Sequence, residues 1–546
     1  MKKIAGVLLI LIIFSGFYAA TKDIYFEIAK NIDIFTRVYK EITFNYVDGI
    51  NPSEFLRSGI RGMLQSLDPY TTFMDERRQE DIELITNGKY GGVGISVGVR
   101  NDKVTIIEVI DGYSAQRQGI KAGDVIFAVD SVEFSAKNYE DLSSFVKGEP
   151  GTFVKIKILR HGVENPIEYN LVREEIQIKN VTFYGFVPEN SNNAYIRLSG
   201  FTRTAGNELR NAINELKSQK EIKSLILDLR GNPGGLLDVA VEISNKFIKK
   251  GELIVSTKGR DSTSIKRYYT TEEAMLPDVP LVVLINENSA SASEIVAGAI
   301  QDHDRGIIVG TKSFGKGLVQ TISPLSYNTS IKITTARYYT PSGRSIQKID
   351  YSKNNKVISN SDSVIASAFT TDNKRIVYSA GGINPDSTVE QTKMPGIMLD
   401  LLAKGFFFEF ATAFIAGRGE TANLPGDDEL FDEFLKFVKS RNYKYESEEV
   451  KQLEKYIVNL ENDKNYLHLV PKLNTLRNDI EAINSSNFAP YKDAILAELK
   501  SDILGRILGT KVKIEFSLNN DAQFNSAVII LNDRITYNKL LGITGK

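Results

Sequence analysis

Three strings in this 546-residue chain combine glycine with residues able to do covalent chemistry: DLRGNPGG (228–235), NSASASE (288–294) and SFGKGLVQ (313–320). The serine string runs into Ile295, Val296, Ala299 and Ile300, an apolar spacing that predicts a helix starting beside it. A hydroxyl there meets unpaired backbone N–H groups and the positive end of the helix dipole, which favour a developing oxyanion. Simple N-capping by serine is the competing reading. On these grounds Ser289, Ser291 and Ser293 are equally eligible.

A serine nucleophile needs a base. The only histidines are His161, His303 and His468. His303 lies at the far end of the expected helix, about 18 Å from Ser291 at 1.5 Å rise per residue, too far for a hydrogen bond. Lys316 is the better base. Gly315 and Gly317 let its backbone turn sharply, and a desolvated lysine has its pKa drawn down toward about 7–8. A tight surface turn is the plain alternative for Gly-Lys-Gly. Gln320 lies four residues on, within reach of the amine if the segment is one helical turn or two paces along one strand face. Gly234 and Gly235 offer backbone N–H groups as oxyanion donors beside the N–H that follows the nucleophile. The string GNPGG is similar to the GNSGG of chymotrypsin-like proteases, but Pro233 stands where their serine would be. No phosphate-loop string accompanies the glycines, which argues against nucleotide binding.

Composition excludes several other chemistries. With 67 basic and 68 acidic residues the net charge is −1, so the basic excess that nucleic-acid binding requires is missing. Cysteine is absent, which removes disulfides, thiolate nucleophiles and zinc–thiolate sites, and three histidines are few for a metal site. No metal and no cofactor are expected. Hydrophobic residues at 42% and charged residues at 25% are ordinary globular usage, and the length suits three or four domains.

The elements that must position these residues follow in order along the chain. Residues 1–20 begin with Met1-Lys2-Lys3 and continue as an apolar run to Ala20, an export signal or membrane anchor. Seventeen residues span about 26 Å, at the short edge of a bilayer core, and the cleavage site is poor, which favours an uncleaved anchor. The expected address is the bacterial periplasm or cell envelope. Residues 21–84 show helical spacing broken at Asn51-Pro52, and residues 85–174 alternate apolar and polar positions between glycines, a compact strand-rich domain. Residues 175–395 alternate strands (194–198, 224–229, 281–285, 306–309) with helices (205–219, 236–249, 292–301), an α/β pattern that carries all three strings. The polar stretch 348–362 reads as an exposed loop, and 396–546 as mainly helical, with 446–462 solvated and 494–508 amphipathic.

These strings resemble those of the carboxyl-terminal processing peptidases, or tail-specific proteases. The resemblance covers about residues 26–389: LDPYTTFM (67–74), YGGVGI (90–95), LILDLRGNPGGLL (225–237), the run from Pro280 to Thr321 around SASAS and FGKG, TTARYYTPSGRSIQ (334–347) and GGINPD (381–386) occur in the family's order. It implies a multidomain α/β fold: a ClpP/crotonase-like protease core, an inserted PDZ-like β-rich domain, and helical N- and C-terminal regions. It also implies roles. The nucleophile is the middle serine, Ser291; the base is Lys316; Gln320 supports it; Asp302 matches an auxiliary aspartate, although an ion pair or cap explains it more simply. Ala292 and a glycine of the Pro-Gly-Gly turn, Gly234 or Gly235, donate to the oxyanion. Gly91, Gly92, Val93, Gly94 and Ile95 fit the loop that holds a substrate's terminal carboxylate in a PDZ domain, whose strand edge accepts the tail. The implied activity is a serine endopeptidase cutting proteins with nonpolar C-termini near those termini, with a homodimer or an adaptor protein as further partners. A scaffold that captures tails without cutting them is the alternative. Asn286-Glu287-Asn288 departs from the family, where a glycine often precedes SASAS.

Overall fold

Strands in which every residue is apolar cannot present a face to water, so they demand cover on both sides. Leu281–Ile285 and Ile307–Gly310 are such strands, buried at every position. They lie inside a six-stranded sheet ordered Val181–Phe186, Asn193–Leu198, Ser224–Asp228, Leu281–Ile285, Ile307–Gly310, Ser387–Thr388. The first pair is antiparallel and the others are parallel. This computed structural model describes residues 2–76, 79–261, 263–351, 356–357, 367–379, 381–419, 423–463, 465–486 and 488–543, with side chains omitted for 2–23, 79–81, 356–357 and 484–486.

Alternate side chains go to opposite faces of the sheet. Leu225, Leu227, Val283 and Ile285 pack against helices Ala205–Gln219, Leu237–Ser244 and Ala292–Asp302. Ile226, Val282, Leu284, Ile307 and Val309 pack instead on Ile514, Leu518, Phe524, Ala527, Ile530 and Leu531. That second layer comes from helices Thr510–Leu518, Ala522–Asn532 and Arg534–Leu540 at the end of the chain. Tyr537 fixes it to the sheet, its hydroxyl accepting from Leu281 N at 2.9 Å. The helix expected over 236–249 ends at Ser244, and the following Lys246 is fully buried with its amine 3.2 Å from Glu272.

Residues 397–508 form their own helical cluster around Phe407, Phe410, Leu430, Phe434, Ile495 and Leu499. The stretch expected to be solvated contains helix Glu448–Glu461, which buries Val450, Ile457 and Leu460. The strand-rich domain is a sheet ordered Ile95–Arg100, Lys103–Val109, Val125–Val129, Phe153–Leu159, Ile167–Val172, around Val104, Ile106, Ile126, Ile156 and Ile158. In the polar stretch 348–362, Ile349–Asp350 pairs with Lys356–Val357; 352–355 and 358–362 lie outside the described residues.

The chain divides into two compact units. All of the above belongs to the one made of residues 78–319, 336–350 and 355–546. The other takes residues 1–77, 320–335 and 351–354. In it, helix Pro52–Gln65 starts at Asn51, whose side chain accepts from Ser53 N and Glu54 N. Tyr39 of helix Lys2–Asn45 stacks on Phe55 at 5.6 Å between ring centroids. Strand Thr72–Met74 pairs antiparallel with Ser330–Lys332. The signal or anchor expected over residues 1–20 falls outside the described side chains; among the described residues no helix is long and apolar enough to cross a membrane.

Candidate active site

Each of the three strings follows a core strand, so rigid strand ends deliver them to one edge of the sheet. The DLRGNPGG loop is held from below. Asp228 is buried and takes Tyr195 Oη at 2.6 Å and the Arg230 guanidinium at 2.6 Å. Arg230 in turn reaches Asp521 at 2.7 Å, in the layer from the chain's end, and its pKa is raised by Asp228 and Asp521 in spite of burial. Asn232 then ties this loop to the serine loop. Its side chain donates to Leu198 O at 2.8 Å, while its carbonyl accepts Ala290 N at 3.0 Å and Ser293 Oγ at 2.9 Å.

Those bonds separate the three serines. Ser293 is fully buried and spent on Asn232. Ser289 is fully buried too: its hydroxyl donates to Leu229 O at 2.8 Å and accepts from Asn286 N at 3.0 Å. Ser291 alone is partly exposed. It sits at the N-cap of helix Ala292–Asp302 with φ 55° and ψ −112°, a conformation costly for a residue with a Cβ. A strained turn of this kind between strand and helix lifts a side chain clear of its neighbours.

The serine and lysine loops are joined through a residue that the sequence reading did not single out. Glu294, on the first turn of the helix, is buried and accepts four bonds. Oε2 takes Ser291 N at 2.8 Å and Lys316 N at 2.9 Å; Oε1 takes Gly315 N at 2.8 Å and Ser313 Oγ at 2.6 Å. Burial outweighs these donors and lifts its pKa to about 7. From the other side the single proton of the buried Tyr338 hydroxyl is shared between the carbonyls of Lys316 and, at 3.1 Å, Ser291. The backbones of the two residues are thus clamped through both N–H and C=O. The string Ser291-Ala-Ser-Glu294 has the spacing of a capping box, a signal that could have found Glu294; Tyr338 carries no comparable local signal.

The glycine turn is packed against the serine. A Cβ on Gly234, whose φ is +95°, would come within 2.6 Å of Ala290 O and 2.8 Å of Ala292 N. Its N–H donates to Asn232 Oδ1 at 2.9 Å. Gly235 lies in close approach to Phe201, where a Cβ would sit 2.5 Å from the Phe201 carbonyl. Ala292, the first helical residue, belongs to the turn whose N–H groups lack intrahelical acceptors.

Asp302 closes the same helix at its opposite end. It is buried, with Oδ1 2.8 Å from Arg344 and Oδ2 accepting Ser342 N at 3.0 Å. His303 beside it bonds Asp372 at 2.9 Å and Leu253 O at 2.7 Å, a histidine–carboxylate pair a full helix length from Ser291. Gln320 opens the segment 320–335 of the other compact unit, where its amide donates to Thr334 Oγ1 at 3.2 Å. In the strand-rich domain, Lys89–Gly92 pairs with Glu174–Gln177. Val93 is buried, Gly94 has φ +82° with its carbonyl accepting Ile110 N at 2.9 Å, and Ile95 starts the sheet's edge strand. No group of acidic or histidine side chains able to hold a metal occurs among the described residues.

Comparison with known proteins matches residues 192–357 to Peptidase family S41, residues 91–171 to the PDZ domain, and residues 397–531 to the probable PDZ-protease C-terminal helical domain. A carboxy-terminal-processing protease of Bartonella bacilliformis is 40% identical over 331 residues, covering 60% of this chain and 74% of that protein. The carboxy-terminal processing protease CtpA of Bacillus subtilis is 33% identical over 320 residues, covering 58% of this chain and 67% of that protein. Among solved structures, a photosystem II D1 C-terminal processing protease is 27% identical, covers 65% of this chain and 92% of its own, and superposes with a TM-score of 0.36.

Proposed function

Because the chain belongs to the carboxy-terminal processing proteases of peptidase family S41, and is therefore a serine-type peptidase, we propose that Ser291 is its nucleophile and Lys316 its general base. The observation that carries this reading is the contrast among the serines: Ser289 and Ser293 are buried in bonds to the backbone, while Ser291 is strained and partly exposed. Its loop and that of Lys316 share the Glu294 carboxylate.

The neutral Lys316 amine takes the hydroxyl proton as Ser291 Oγ bonds to a peptide carbonyl carbon. The resulting oxyanion lies against the N–H of Ala292 and that of Gly235, or of Gly234 once it releases Asn232. Collapse breaks the C–N bond, and the lysine ammonium returns its proton to the leaving amine. Water, deprotonated by the same amine, then attacks the acyl ester and frees Ser291. Gln320 orients the amine in this proposal, a role that rests on its spacing from Lys316 and on the family resemblance. Asp302, bound to Arg344, acts on the fold rather than on the reacting atoms.

The PDZ domain selects the substrate. A nonpolar tail adds as a strand along Ile95–Arg100 with its carboxylate at the loop 91–95, and cleavage falls near that end. The N-terminal apolar run holds the enzyme in the cell envelope. Incubating the full chain with a peptide of nonpolar C-terminus tests the chemistry. Ser291→Ala and Lys316→Ala each abolish cleavage while the protein stays folded, and a serine-directed fluorophosphonate labels wild type but not Ser291→Ala. Full turnover in either variant refutes the dyad.

A further inference from the structure

Among the described residues, strand Ile95–Arg100 ends its sheet and pairs only with Lys103–Val109. Arg100 and Lys103 close a two-residue turn in which Asn101 and Asp102 have φ +46° and +59°. In such a hairpin the closing pair is hydrogen-bonded and bonding alternates from there. The pairs 100/103 and 98/105 therefore face each other, while Val97 and Val99 turn their N–H and C=O groups toward the open edge. The partner strand agrees: Ile106, opposite Val97, directs its own N–H and C=O away, to Asp124 and Gly123.

The outward carbonyl of Val97 is already taken. The Tyr139 hydroxyl donates to it at 2.9 Å across 42 residues of sequence. Tyr139 lies just before the short helix Leu142–Val146, and its ring is half-buried with Ile95, Val97 and Phe145 against the domain core. These apolar side chains line the strip along which a tail strand would run.

We propose that Tyr139 is a built-in stand-in for the substrate tail. Its hydroxyl occupies the acceptor that a tail's backbone N–H uses when the tail pairs with Ile95–Arg100, so the groove accepts a tail only as that hydroxyl gives way. The proposal rests on the tail-groove reading above and adds the device that sets its threshold. An intramolecular bond of this type, lost on binding, lowers apparent affinity by a factor of about 2–10, because only the fraction of molecules with the acceptor free is competent. Tails that form the whole strand ladder repay that factor; short or interrupted tails do not.

The test uses the full chain carrying Ser291→Ala, to prevent turnover, and a fluorescein-labelled decapeptide ending in three apolar residues, read by fluorescence anisotropy. Tyr139→Phe keeps the ring in the core and removes only the hydroxyl. It tightens binding about two- to tenfold in a protein that stays folded and melts only slightly lower, by the loss of one hydrogen bond. Unchanged or weaker binding overturns the proposal. Val99→Pro removes an outward N–H without breaking a ladder bond and weakens binding at least about fivefold. If Val99→Pro binds as tightly as its parent, the tail does not lie on this edge, and the groove reading fails together with the stand-in. If Val99→Pro weakens binding while Tyr139→Phe does nothing, the groove reading stands and only the role of Tyr139 falls.

Discussion

The backbone N–H groups of Ser291 and Lys316, 25 residues apart in sequence, donate to a single atom, Glu294 Oε2, at 2.8 and 2.9 Å. The spacing of the two loops proposed to carry nucleophile and base is therefore held by one buried carboxylate, with the Tyr338 hydroxyl on their carbonyls. Side-chain chemistry at two loops becomes one unit when both loops are bound to a common acceptor.

Glu294→Gln puts an amide nitrogen where one oxygen accepts two N–H or O–H groups. At about 1–3 kcal/mol for each buried group left unsatisfied, stability falls by about 2–5 kcal/mol and kcat by at least about tenfold. The pH dependence follows from the raised pKa. Burial holds the folded carboxyl at about 7 against an ordinary 4.5, so its contribution to stability is complete below pH 4.5 and is lost as pH rises toward 7. Urea unfolding between pH 4 and pH 8, taken as wild type minus Glu294→Gln, shows a difference that shrinks across that window. A pH-independent difference means that the carboxyl does not titrate there.

Ser289→Ala and Ser293→Ala retain labelling by a fluorophosphonate and retain turnover, because both hydroxyls are buried and bonded to backbone carbonyls. Ser293→Ala costs about 0.5–1.5 kcal/mol as one buried hydrogen bond is lost while Asn232 O keeps Ala290 N, and Ser289→Ala about 1–3 kcal/mol because Asn286 N loses its acceptor. Gel fluorescence after labelling and thermal melts read both effects. Loss of labelling in a folded Ser289→Ala protein contradicts the assignment of Ser291.

Asp302→Asn breaks a buried pair with Arg344 and destabilises the protein by about 3–5 kcal/mol. Assayed well below its melting temperature, the variant keeps kcat within a few-fold of wild type. A hundredfold fall in kcat in folded protein shows that Asp302 reaches the chemistry after all.

Removing residues 509–546 uncovers Ile226, Val282, Leu284, Ile307 and Val309 on one face of the central sheet. At about 1.5–3 kcal/mol per large apolar side chain, the loss is as large as the whole stability of an ordinary domain. The truncated chain is insoluble or molten by near-UV circular dichroism, although every proposed catalytic residue remains in it. A soluble, active truncation disproves the structural role of the last helices.

Local order was readable wherever a local rule governs it. Helix Ala205–Gln219 follows from its apolar spacing, and Leu281–Ile285 from its unbroken apolar run. The end of helix Leu237–Ser244 was not, because the apolar pattern continues through Phe247 and Ile248 while the chain has already turned. The reading of residues 396–546 as mainly helical did not say where those helices pack, and the last three cover one face of the central sheet. The need for such a roof was implicit in strands buried on both faces, but amphipathic helices do not name the face they will cover.

By itself, the sequence determined the family, the kinds of side chain available to the chemistry, and the absence of cysteine chemistry, since composition and motif order need no third dimension. Only tertiary structure buried Ser289 and Ser293 while leaving Ser291 partly exposed, drew Glu294 and Tyr338 to the backbones of both Ser291 and Lys316, and tied Asp302 to Arg344. Each of those outcomes depends on which distant polar groups are buried together. A buried hydrogen bond is settled by burial and geometry, which residue spacing along a chain does not record.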